Sequence, residues 1–195
     1  ASEGGFDYNV FVGSFAGEEA TAPDYSVGVG AYALQNAGKN GNYVTAVGYE
    51  AARYATGSYN SFFGYQAGKG GTTSAPFSSG KQNTAVGADA LKGLTTGGYN
   101  TAIGKQAGQA ITTANYNTFV GAWAGDAATE SGYNTVVGFQ AFSDAVDGSS
   151  HTVAIGYQAG KAITSGDGNI MIGASAGNTT TDVDKAVIIG QNAGQ

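Results

Sequence analysis

An apolar residue, a glycine and, three residues on, an alanine recur eleven times along the 195 residues of this chain. The glycines are Gly13, Gly30, Gly48, Gly64, Gly87, Gly104, Gly121, Gly138, Gly156, Gly173 and Gly190, spaced by 17, 18, 16, 23, 17, 17, 17, 18, 17 and 17 residues. The period is therefore 17 with one sizeable insertion. The alanines, from Ala16, Ala33 and Ala51 to Ala176 and Ala193, keep their offset in every copy. A fixed short period is the signature of a solenoid, in which each unit buries its apolar face only against its neighbours.

Composition decides which solenoid. The chain has 34 glycines and two prolines. Glycine at that density excludes stacked helices, and the lack of a three-residue period excludes collagen. The expectation is a single all-β repeat domain over residues 1–195, a parallel β-solenoid or β-roll of eleven coils of about 17 residues, with an insertion loop at about 70–81.

Counting from the repeat glycine as position zero, position −1 is Val, Ile or Phe in every copy, and position −3 is Val, Ile, Thr or Ser. This period of two predicts a short strand before each glycine whose positions −1 and −3 point into the coil. Position −2 is then expected to face outward. It reads Phe11, Gly28, Ala46, Phe62, Ala85, Ala102, Phe119, Val136, Ala154, Met171 and Ile188, with no polar residue among the eleven. A strand apolar on both faces is normally covered on both. The row Phe11, Ala46, Phe62, Ala85, Ala102, Phe119, Val136, Ala154, Met171 and Ile188 is accordingly expected to be a homo-oligomer seam, buried where three copies meet on an axis.

After the glycine the chain turns, and the alanine at +3 is expected inside a thin cross-section. Glycine at +4 in seven copies predicts a second turn with positive φ. Tyrosine at −5 in seven copies (Tyr8, Tyr25, Tyr43, Tyr59, Tyr99, Tyr116, Tyr133), with asparagine at −4, is expected to form stacked ladders that hold the coils in register. A rank of threonines (Thr21, Thr56, Thr72, Thr95, Thr112, Thr129, Thr164, Thr181) lies on the far side.

The units Asn83-Thr84-Ala85-Val86-Gly87, Asn100-Thr101-Ala102-Ile103-Gly104 and Asn117-Thr118-Phe119-Val120-Gly121 resemble the Asn-Thr-Ala-Ile-Gly repeats of bacteriophage tail fibres and large bacterial surface proteins. They are also similar to the shorter repeats in the heads of trimeric autotransporter adhesins. The resemblance runs over residues 6–195. It implies a β-roll, three of which pack side by side, in a rod that presents loops to a host receptor at a virion or extracellular surface.

Other function classes find less support. His151 is the only histidine, and it occupies the tyrosine slot, so it reads as a ladder residue rather than a base. No nucleophile-elbow motif is present. Carboxylates are scattered over different turns without the acidic repeat of calcium-binding rolls, so neither an enzyme nor a metal or cofactor site is expected. A net charge of −6 without a Lys/Arg cluster argues against nucleic acid, and no apolar run is long enough to span a bilayer. Zero cysteines exclude disulfides and thiolate sites. An end-to-end filament is the alternative assembly, and ice binding through the threonine rank a weaker one. Contacts with a receptor, a cell-surface glycan or envelope protein, are expected at departures from the repeat: Pro76 and Phe77 in the insertion, then Trp123, Phe15 and Tyr32, which are aromatic where position +2 is otherwise mostly polar.

Overall fold

The computed structural model describes residues 8–21, 24–38, 41–71, 78–145 and 148–195. Eleven three-residue strands form one sheet: β1 (Val10–Val12), β2 (Val27–Val29), β3 (Thr45–Val47), β4 (Ser61–Phe63), β5 (Thr84–Val86), β6 (Thr101–Ile103), β7 (Thr118–Val120), β8 (Thr135–Val137), β9 (Val153–Ile155), β10 (Ile170–Ile172) and β11 (Val187–Ile189). They pair in chain order, and every pairing is parallel. At one strand spacing per coil the sheet is roughly 50 Å long. Equivalent repeat positions always face each other. Even across the long spacing between Gly64 and Gly87, Phe63 pairs with Val86, so the insertion leaves the ladder intact.

The all-β parallel solenoid expected from the period is what forms, but its faces are the reverse of the sequence expectation. Ala102 at −2 is 0% exposed, whereas Ile103 at −1 is 42% exposed. The same holds along the array: Ala46, Phe62, Ala85, Phe119, Val136, Ala154 and Met171 are all buried inside the single chain. Phe11 and Ile188, in the end coils, pack against the same core. The expected oligomer seam is thus the solenoid's own interior. Side chains alternate strictly along a strand, so a one-residue error in phase exchanges its two faces. With apolar residues at −3, −2 and −1 together, hydrophobicity does not set that phase. The asparagine at −4 does: its amide is held inside the corner by hydrogen bonds, which forces −2 inward and −3 and −1 outward.

Opposite the −2 row lie the alanines at +3, and those from Ala33 to Ala176 are buried as expected. Between the two, position +4 compensates for the size of the −2 side chains. Where −2 is Gly28 or Ala85, position +4 of the same coil is Leu34 or Leu91, while Ala46 is matched with Ala52 and Val136 with Phe142. Where −2 is Phe62 or Phe119, +4 is Gly68 or Gly125, and a Cβ added to either glycine would stand 2.5 or 2.4 Å from the ring. Gly108 and Gly160 serve the coil above, leaving room for Phe119 and Met171. The interior is filled by large side chains on alternating sides, as close packing in a narrow cross-section requires.

Each coil turns on left-handed residues. The +4 glycines have positive φ, as the sequence predicts, and so do the non-glycine residues at −5 and +2, among them Tyr99 (60°) and Gln106 (59°). Such residues cost about 1–2 kcal/mol apiece, and inter-coil ladders offset that cost. Asn100 donates from its backbone N–H and Nδ2 to Asn83 Oδ1 (3.0 and 3.1 Å) and from Nδ2 to Ala114 O (2.8 Å). Asn117 repeats the pattern one coil on. Outside, Tyr8, Tyr25, Tyr43 and Tyr59 stack at 5.0–5.1 Å, and Tyr99, Tyr116 and Tyr133 at 4.9–5.0 Å. His151 continues the second stack at 4.9 Å from Tyr133, with its ring 3° from parallel. It is the ladder residue its slot predicts.

Candidate interaction face

The outward phase of the strands places an apolar column on the surface. Position −1 carries a β-branched side chain or phenylalanine in all eleven coils, and Val12, Phe63, Val86, Ile103, Val137, Ile155, Ile172 and Ile189 are exposed. Position −3 is valine or isoleucine in the outer coils and threonine or serine in β3 to β8. The exposed Tyr ladder at −5 borders this face on the N-terminal side of each strand. At +1, beyond the strand, stand two aromatic pairs that sequence reading did not single out, Tyr49 with Tyr65 (5.5 Å) and Phe139 with Tyr157 (5.8 Å). The phase of the strands would have been legible from the Tyr-Asn pair, because an exposed ring at −5 and a buried amide at −4 place −3 and −1 outside.

The expected receptor residues fare differently. Pro76 and Phe77 lie outside the described residues. Trp123 is half-buried, with its ring edge-on to Phe139 (5.3 Å) and Lys105 Nζ 4.9 Å from its centroid. Phe15 stacks on Tyr32 (5.0 Å), and the Arg53 guanidinium lies 4.7 Å from the Tyr32 ring. Each of the three aromatics at +2 has a ring contact with a neighbouring coil, and Phe15 remains exposed. Position +2 is also less outward than expected, since Glu50 and Gln66 there are buried.

Glu50 is the centre of the main ionic cluster. It pairs with Lys69 (2.6 Å) and Arg53 and accepts from Gln66 Nε2 (2.6 Å). Burial works to raise the Glu50 pKa, but the hydrogen bonds from Lys69, Gln66 and Arg53 outweigh it and hold the carboxyl below its usual range. Asp126 is the opposite case. Burial, reinforced by the nearby Asp144 charge, pushes its pKa up to about 6, and its Oδ1 has no hydrogen-bond partner among the described residues. Among the described residues no group of three His, Cys, Asp or Glu side chains could hold a metal, and no helix is long and apolar enough to cross a membrane.

The threonine rank is engaged too. Thr95, Thr112 and Thr164 donate their hydroxyls to the carbonyls of Thr112, Thr129 and Thr181 in the following coils (2.9, 3.3 and 3.1 Å).

Fold and surface together define the class: a parallel β-solenoid repeat protein with ladder-bonded corners and one apolar outer strand face. Comparison with protein-family models, curated proteins and solved structures returns no match to this chain.

Proposed function

We propose that this chain is a structural and adhesive module, the rigid rod of a bacteriophage tail fibre or bacterial surface adhesin, acting at a virion or extracellular surface. Three copies associate side by side through the outer strand face, and irregular positions along the rod contact a host receptor. The observation that carries this reading is the apolar column at −1, which faces outward in all eleven coils and is exposed in eight of them. The strands alone span roughly 500 Å² in projection, from about 50 Å of stacked strands each about 10 Å long. The −1 column runs apolar through this face, beside Thr or Ser at −3 in β3 to β8, and a patch on this scale is often functional. The likeness of the Asn-Thr-Ala-Val-Gly units to adhesin heads supports three as the number of copies.

Light scattering tests the assembly. The parent should run at three times the 19.4 kDa chain mass. Val86→Asp combined with Ile103→Asp should run as a folded monomer, because unpaired charges buried in an apolar interface cost several kcal/mol. A monomeric parent, or a double variant with unchanged mass, would remove the seam and with it the trimeric rod.

A further inference from the structure

The −5 ladder lacks one rung. His151 has one ring face on Tyr133, and the equivalent position in the next coil is Gly168, which offers no side chain to cover the other face. The rung after that is Lys185, whose Cγ stands 3.5 Å from where a Cβ on Gly168 would be. From His151 to Lys185 is two coil spacings, about 9.6 Å, and the Lys185 side chain leans into that space, so a ring seated at ladder distance on His151 would turn this flexible side chain outward. The surroundings are polar on one side and apolar on the other. Asp184 Oδ1 accepts from the Asp167 N–H (2.8 Å), and Asp167 Oδ1 accepts from the Ser150 N–H (2.7 Å), so both carboxylates are fixed beside the gap. Ile170, exposed on β10, forms the other border.

We propose that this vacant rung binds a single pyranose ring, such as the terminal sugar of a surface glycan. The inference rests on the adhesive reading and assigns the site at which the module meets its receptor. A pyranose carries an apolar C–H face, which suits the open face of the His151 ring. Its rim carries hydroxyls, which can donate to the Asp167 and Asp184 carboxylates and accept from the Lys185 ammonium. An anionic ligand would meet two fixed carboxylates, and a plain aromatic ring would leave the polar rim without partners. The sugar is the ligand class that uses every group around the gap. Single contacts of this kind are weak, and three rods side by side would multiply them.

His151 is the only histidine in the chain, so its imidazole C–H resonance is a reporter without background. Titrating the assembled parent with the methyl glycosides of glucose, galactose, mannose and N-acetylglucosamine should shift that resonance saturably for at least one of them, with saturation transfer to the sugar ring protons. Gly168→Tyr fills the rung, in a column whose tyrosines already sit at φ of 54–62°, and should weaken binding at least tenfold. Asp184→Asn keeps an oxygen for the Asp167 N–H and should weaken it several-fold, which holds the test open if the tyrosine variant fails to fold. No shift with any of the four glycosides, or parent-like binding in both variants, overturns the site. A shift with N-acetyltyrosinamide and none with the sugars overturns the ligand class. Glycan binding that survives in Gly168→Tyr would sink this site and leave the adhesive reading standing, whereas a parent that binds sugar yet remains a monomer would sink the trimeric rod alone.

Discussion

At the scale of single residues, two carboxyl groups give the rod opposite responses to pH. Glu50 is held below its usual pKa by Lys69, Gln66 and Arg53, so its contribution to stability is present at neutral pH and is lost as pH falls through its native pKa. Asp126 is raised to about 6 by burial and by Asp144. Folding then favours its protonated form, so its contribution is whole below the unfolded pKa of about 4 and is lost as pH climbs through about 6. Asp126→Asn removes the ionised form and should stabilise the protein at pH 7 by up to about 1 kcal/mol, allowing for solvent screening of a half-exposed group. The gain should vanish at pH 4. Thermal melts of parent and variant at the two pH values measure the difference, and an equal shift at both would contradict the assignment. Neither group was visible in the sequence as special, because burial at +2 and +5 depends on which neighbouring coil leans over the site.

At the scale of the coil, the ladders are the element that makes so many left-handed residues tolerable. The Tyr stack is interrupted at Gln82, which has the ladder's φ of 57° and its inter-coil hydrogen bond to Ser58 O (3.1 Å). Gln82→Tyr should therefore join the stacks ending at Tyr59 and starting at Tyr99 without new backbone cost. Two added ring contacts predict a gain of about 1–2 kcal/mol, measurable by denaturant titration; a destabilised variant would show that the rings are bystanders to the register. These elements are legible in the sequence, since the Tyr, Asn, Gly and Ala offsets are tied to the period itself, and so are the interior places of Ala33 through Ala176 and the stacked place of His151. The phase of the strand is not legible from hydrophobicity, because Phe62, Phe119 and Met171 stand beside Phe63, Val120 and Ile172 and leave no contrast to read. The size compensation between −2 and +4 carries that contrast instead: a glycine such as Gly125 is needed only if Phe119 points toward it.

At the scale of the whole molecule, strict register turns a 17-residue rule into one continuous sheet whose inner −2 column holds the coil together and whose −1 column faces outward. The two roles differ by one residue along the same strand, so neighbouring substitutions separate them. Ala102→Asp places a charge in a dry interior at 0% exposure, and Ile103→Asp places one on the outer face at 42% exposure. Far-UV circular dichroism with thermal melting of these two variants tests the account most directly. Ala102→Asp should lose the cooperative β transition or melt far below the parent, since an unpaired buried charge costs several kcal/mol, while Ile103→Asp should keep the parent spectrum with its change confined to association. The reverse result, a folded Ala102→Asp and an unfolded Ile103→Asp, would contradict the account by showing that the strands face the other way.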